Sequence, residues 1–186
     1  QGIGLSINDL TGWDFSGQNL TGAERGGSTL TNADLAGAVV TGAGLGDTTS
    51  RGFTQAQLAS TASYQAKNLQ GIGLWNNDLT GWDFHNQDLT NADLNSSTLT
   101  SANLTGANLT YASLYESMLT NANLTGADIT AAGLHGATSR GFTAAQLYST
   151  QSYQDENLSG IELSKNDLTS WDFRGQNLTH ANLNSS

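Results

Sequence analysis

Sixteen carboxylates and three histidines are the side chains of this 186-residue chain with the means for acid–base or metal-ligand work. Twelve of the sixteen acidic residues, among them Asp78, Asp83, Asp88, Asp93, Asp128 and Asp167, occupy one position of a five-residue period. Acid–base catalysis needs two such groups converging on one reacting atom. Neighbours five residues apart are expected on successive sides of a coiled repeat, where they diverge. His85, His135 and His180 are scattered over outward positions, where a lone imidazole is solvated surface rather than a ligand. No nucleophile motif, phosphate-cradling loop or metal-ligand spacing occurs. Cysteine is absent, which removes disulfides and thiolate metal sites and leaves the redox compartment undetermined. The expectation is a chain that is not an enzyme and carries no cofactor and no metal.

The period itself is the strongest signal. Leu79, Phe84, Leu89, Leu94, Leu99, Leu104, Leu109, Leu114, Leu119, Leu124, Ile129 and Leu134 follow one another at five-residue steps. Such a spacing fits neither a helix nor a strand and marks a repeat architecture. Two residues before most of these comes a small residue, as in Ala92, Ser97, Ala102 and Ala107, and just before most of them comes Asp or Asn, as in Ala102-Asn103-Leu104. This pattern resembles the pentapeptide-repeat family. The resemblance implies an all-β fold, a right-handed quadrilateral parallel β-helix with one pentapeptide per side.

Internal duplication supports four sides per coil independently. The segment Asn8-Asp9-Leu10-Thr11-Gly12-Trp13-Asp14-Phe15 recurs from Asn77 to Phe84 and, with Ser170 in place of the glycine, from Asn166 to Phe173. The copies lie 69 and 89 residues apart, and the difference of 20 is four pentapeptides, a whole coil. We therefore expect one solenoid over 1–186, made of tandem units 1–69 and 70–158 and a partial unit 159–186. The absence of proline suits a backbone paired along the whole axis. Leu and Ala at the inward positions suffice for a narrow core shared between coils.

The five-residue step breaks twice, in the same way. From Leu45 to Leu69 and from Leu134 to Leu158 the interval is 24 residues, and each contains Ser-Arg-Gly-Phe-Thr, then Gln-Leu and Ser-Tyr-Gln. Thr54 with Gln57 reads as a capping box and Phe53 with Leu58 as a hydrophobic staple, and Phe142, Thr143, Gln146 and Leu147 repeat them. Short helical inserts are expected near 54–64 and 143–153, with Tyr64 and Tyr153 packing at their ends. A packing role and a recognition knob are the two readings of these inserts.

The coil after each insert is unusual too. Its small-residue positions hold Ile72, Asn77, Trp82 and Gln87, matched by Ile3, Asn8, Trp13 and Gln18 and by Ile161, Asn166, Trp171 and Gln176. Trp and Phe do not both fit a bore sized for Ala and Leu, so the coil should widen or turn its tryptophan onto the insert. Inward Asn and Gln must find partners. A structural junction and a ligand pocket beside Trp82 are the alternatives.

Function should reside on outward positions. The net charge of −10 lies along the sides of the rod, which excludes direct nucleic-acid binding by phosphate neutralisation and disfavours anionic membranes. No apolar run is long enough to span a bilayer. The expected role is a non-enzymatic structural rod or protein-interaction scaffold. Because the chain begins and ends inside coils, its unpaired edges suggest either an excised piece of a longer protein or self-association end to end into a fibre. An alternative comes from the family resemblance, since some members resemble B-form DNA and inhibit gyrase; Asp78, Asp83, Asp88 and Asp93 would then form the mimicking surface. A third reading is ice binding through stacked outward threonines, Thr80, Thr100 and Thr120 on one side and Thr90, Thr110 and Thr130 on the opposite side. The chain starts at Gln1 without a methionine, and a secreted or cell-surface bacterial protein is the expected setting.

Overall fold

A computed structural model describes residues 4, 6–24 and 26–186; Ile3, placed above in the first unusual coil, lies outside the described residues. Each pentapeptide makes one side and one corner. At the corner the N–H of the next small residue donates to the leucine carbonyl, as from Trp82 to Leu79 at 3.1 Å and from Ala92 to Leu89 at 2.9 Å. The third residue of this four-residue turn is left-handed, with φ of 70° at Gly81 and 57° at Asn91. Glycine and asparagine tolerate that conformation best, which explains their recurrence there.

The residue before the leucine fixes the same corner with its side chain. Oδ1 of Asp78 accepts from the Thr80 N–H at 3.1 Å, Asp83 from His85 at 3.0 Å and Asn103 from Thr105 at 3.2 Å. This is the Asx turn, in which Asp or Asn bonds the backbone two residues on. Only the carbonyl-type oxygen is used, so the two residue types interchange.

Coils stack through parallel bridges twenty residues apart, including Asp78↔Thr98, Asp83↔Asn103, Asp88↔Asn108 and Asp93↔Ser113. These lie on four successive sides, making the chain a four-sided β-solenoid. Each side is so short that the ladder consists of single bridges rather than extended strands. One column runs unbroken through Gly4, Glu24, Gly44, Gly73, Asp93, Ser113, Gly133, Glu162 and Asn182. Eight steps at the interstrand spacing of about 4.8 Å give a rod of about 38 Å between its first and last bridges. Inside, the leucines and the small residues two positions before them are buried over most of the length, as at Leu94, Leu104, Ala102 and Ala107.

The two inserts are absorbed without loss of register. Gly44 pairs with Gly73 and Gly133 with Glu162, each 29 residues apart, so one coil in each place carries nine extra residues. Units of 69 and 89 residues therefore correspond to three and four coils of twenty plus nine. Each insert differs from the single helix expected: α1 spans Gln55–Ala59 and α2 Ala62–Gln65, and α3 spans Ala144–Ser149 and α4 Gln151–Gln154. Short 3-10 turns, Thr49–Arg51 and Ala137–Arg140, precede them.

The break is local chemistry. Thr61 and Thr150 are extended, with ψ near 150°, and cap the second helix by accepting from the N–H of Tyr64 and Tyr153. Their hydroxyls also donate to Leu58 and Leu147 carbonyls at 2.7 Å. The expected capping boxes form at Thr54–Gln57 and Thr143–Gln146. Gln57 and Gln146 do more than cap, since each Nε2 also donates to two carbonyls of the coil below, Leu30 and Ala33 in one case and Leu119 and Ala122 in the other.

Candidate interaction surface

The unusual coil is a junction fitted to the insert. Asn77 is 2% exposed and uses its whole amide: Oδ1 accepts from the N–H groups of Thr48 and Thr49, both at 2.9 Å, and Nδ2 donates to the carbonyls of Leu45 and Leu74. The indole of Trp82 packs on Phe53 with centroids 5.7 Å apart. Nε2 of Gln87 donates to the Tyr64 carbonyl, and the Tyr64 hydroxyl donates to the Asp83 carbonyl at 2.7 Å. The second copy repeats this with Asn166, Phe142–Trp171 and Gln176–Tyr153. Burial, then the nearby Asp83 charge, pushes the Tyr64 phenol up, against the opposing bond with Gln87.

A cleft of about 700 Å³ does lie beside Trp82, lined also by Phe53, Asn77, Asp78, Thr49 and Thr54. Trp82 is only 8% exposed, its ring committed to Phe53, so the cleft offers no aromatic platform. The equivalent cleft in the second copy shares an aspartate, Asp167 for Asp78. Both carboxylates are occupied by their own corner, at Thr80 and Thr169. Among the described residues no group of His, Asp and Glu side chains is arranged to hold a metal ion. None of the helices among them is long and apolar enough to cross a membrane.

Asp78, Asp83, Asp88 and Asp93 stand on four different sides and are not brought together. Above the first insert acid is diluted by neutral residues along these columns, as in Asp88–Asn108–Asp128 and Asp83–Asn103–Asn123, while Asp14 and Asp34 are direct neighbours in the first unit. The carboxyl of Asp78 is held below the ordinary value by the Thr80 hydroxyl and N–H. At Asp88 burial pushes upward, yet bonds from the Thr90 hydroxyl, the Gln70 amide and the Thr90 N–H outweigh it and the carboxyl is lowered. Asp172, gripped by the Arg174 guanidinium at 2.6 Å and by the Arg174 N–H, is lowered to about 2.

The threonines stack through the backbone: Gly81 donates to the Thr100 carbonyl and Ser101 to that of Thr120, while Asn91 donates to that of Thr110 and Tyr111 to that of Thr130. Their hydroxyls are not uniform. Those of Thr80, Thr90 and Thr110 turn inward along the surface to Asp78, Asp88 and Asn108, each at 2.6 Å, whereas Thr100 and Thr120 follow Thr98 and Met118 and have no Asx partner at that position.

One surface feature escaped the reading by fives. The twenty-residue step puts Trp75, Asn95, Tyr115 and His135 on one outward column. Tyr115 stacks on His135 at 4.7 Å, and Nδ1 of His135 lies 2.8 Å from the Ser164 hydroxyl, one insert-bearing coil further on. Trp75, 39% exposed, lies flat over Gly46, where a Cβ would collide with the indole. The signal was the interval of twenty from Trp75 to Tyr115 by way of Asn95, invisible while each side was read separately.

A family model described as pentapeptide repeats matches residues 9–45, 68–106 and 99–136, in eight copies. No curated protein matches the chain. Among solved structures, a pentapeptide repeat protein involved in heterocyst differentiation regulation in the cyanobacterium Nostoc is 23% identical over all of this chain and 59% of its own, with a TM-score of 0.35. This chain thus spans about three-fifths of that protein's length. A pentapeptide repeat protein of the Arabidopsis thaliana thylakoid lumen is 31% identical over 65% of this chain and 68% of its own, with a TM-score of 0.22. The plasmid-mediated fluoroquinolone resistance protein QnrB1 is 17% identical over 98% of this chain and 90% of its own, with a TM-score of 0.33. With the motif, the twenty-residue ladder and the matched segments in agreement, the chain belongs to the pentapeptide-repeat family.

Proposed function

We propose that this protein is a non-enzymatic rod, its coil right-handed as in the family, that serves as a protein-interaction scaffold and presents side chains at fixed spacing along its sides. The observation that carries this is the unbroken register through both 29-residue coils, which keeps the outward column from Gly4 to Asn182 continuous. Tandem units 1–69, 70–158 and 159–186 act as its building blocks. The column of Trp75, Tyr115 and His135 is the surface best suited to a protein partner, because aromatic side chains supply most of the energy of such contacts.

The charge fits this reading better than DNA mimicry. Ten net negative charges over about 38 Å amount to about one per 4 Å, against about one per 1.7 Å of duplex DNA. The acidic position is, moreover, the one whose side-chain oxygen fixes many of the corners, as at Asp78, Asp83 and Asp88. Electron microscopy and light scattering across a concentration series test the proposal: discrete particles of one chain length are expected. Long filaments would move the working surface to the coil ends. Competition with DNA for a DNA-handling enzyme, lost on reversing Asp83, Asp88 and Asp93, would replace the scaffold reading by mimicry. Ice shaping abolished by bulky replacements at Thr100 and Thr110 would replace it by ice binding.

A further inference from the structure

Trp75 rests on glycine. Its indole runs back along the column over Gly46, where a Cβ would fall 2.0 Å from the ring, and reaches Gly26, where a Cβ would fall 3.1 Å from it. Two successive coils must therefore lack a side chain for the ring to lie down, and its outer face meets solvent. Two coils further on, Tyr115 stacks on His135 with centroids 4.7 Å apart and planes 26° apart. That separation is close to the coil spacing of about 4.8 Å, so the two rings lie across the rod and form a ridge. Between the flat indole and the ridge is a pocket of about 370 Å³, lined by Trp75, Asn76, Asp93, Asn95 and Ser96. Oδ1 of Asn95 is occupied by the Ser113 hydroxyl and the Tyr115 N–H, while its Nδ2 donates to no described residue. Of the carboxylates nearest the column, Asp47 is paired with Arg51 at 3.5 Å and Glu116 with Arg140 at 3.6 Å. Asp93 accepts from the Asn95 N–H at 3.1 Å and pairs with no cation among the described residues.

We propose that this stretch of the column, from Trp75 to Tyr115, binds a proline-rich segment of another protein in the polyproline II conformation, with a Lys or Arg beside its prolines. The proposal rests on the scaffold reading and names the partner. Its basis is a match of periods. Two coils advance about 9.6 Å along the rod, and one turn of polyproline II, three residues, advances about 9.3 Å. Prolines three residues apart thus meet the indole and the tyrosine ridge in register, one ring lying on Trp75 and the next against Tyr115. Aromatic-lined grooves are the surfaces that take such segments, because the ligand is already ordered before it binds. Its carbonyls have no internal partners, and the free amide of Asn95 supplies a donor between the two aromatic contacts. Asp93, at the pocket wall, receives the basic residue, and the net charge of −10 favours the approach of a cationic segment. The 186 residues contain no proline, so a second copy of them does not supply the ligand.

The test is calorimetric titration of the full chain with a synthetic oligoproline peptide bearing one terminal arginine, and saturable one-to-one binding is expected. Trp75→Ala and Tyr115→Ala, both at the surface, should each weaken it at least about ten-fold while leaving the melting curve that of the parent. Gly46→Ala, which lifts the indole without removing it, should weaken it comparably. Asp93→Asn and added salt should weaken it several-fold. The absence of binding, binding indifferent to Trp75→Ala, or equal binding of a peptide with glycine in place of every proline would each overturn the proposal. A cello-oligosaccharide that binds in place of the peptide and is lost with Trp75→Ala would make a glycan the occupant and overturn it as well. Light scattering of the same samples keeps this proposal apart from the scaffold reading: discrete rods that ignore the peptide count against the proline-rich ligand alone, whereas filaments count against the scaffold.

Discussion

Asparagine is as good as aspartate at the corners, because one oxygen accepting the N–H two residues on is the whole requirement. Asp78→Asn should leave the unfolding free energy within about 0.5 kcal/mol of the parent, as expected for a surface change that keeps its bond. Asp78→Ala, which loses the bonds from the Thr80 N–H and hydroxyl, should cost about 1 kcal/mol. Calorimetry of the two variants separates a structural corner from a charge retained only for its sign. Acid should act through the same groups. Asp78, Asp128 and Asp172 are lowered in the folded state from 3.8, Asp172 to about 2. Their contribution is complete above the unfolded value and disappears as pH falls through the folded ones. Stability followed by circular dichroism should therefore be level above about pH 4 and decline from there toward pH 2, with Asp172→Asn flattening the lowest part of the curve. A decline that begins above pH 5 would contradict this assignment.

At the scale of elements the insert and the Trp-bearing coil are one unit. Asn77→Leu would leave two backbone N–H groups and two carbonyls of the junction without the amide they bond, a loss of about 3 kcal/mol or more. Phe53→Ala should cost about 3 to 5 kcal/mol through the cavity beside Trp82 and redden its emission. Gly141 has a φ of 90°, and a Cβ there would sit 2.8 Å from the Thr120 Cα, so Gly141→Ala should destabilise the second insert beyond a simple turn substitution. The sequence made the capping boxes legible because each lies within four residues. It did not reveal the division into α1 and α2 and into α3 and α4. Thr61 and Thr150 read as ordinary helical positions until the following tyrosine N–H is seen bonded to them. The partners of Gln57 and Gln146, 24 and 27 residues away, were equally beyond a local pattern.

For the whole molecule, the leucine period and the duplication were enough to specify four sides, the coil of twenty and the outward placement of Asp78, Asp83, Asp88 and Asp93. What they hid was vertical: which side chains meet across coils. Tyr115 and His135 become neighbours once the coil is known to be twenty residues long, and His135 and Ser164 only once the nine-residue excess is assigned to a single coil. Asp88, Asn108 and Asp128 likewise form a column whose charge alternates, a fact that a count of acids along the chain conceals. The scaffold reading depends on that vertical order, since a rod whose register slipped at each insert would present no continuous column.

Cross-linking reads that register directly, and the absence of native cysteine leaves the background clean. In His135→Cys/Ser164→Cys the two positions, 29 residues apart, lie side by side across the second insert, within the reach of a disulfide. In His135→Cys/Asp155→Cys the separation is the ordinary twenty. Under mild oxidation the first pair should close nearly completely in the folded chain and the second should not. Closure of the twenty-residue pair in place of the first would show that the insert stands outside the coil and that the outward columns break there.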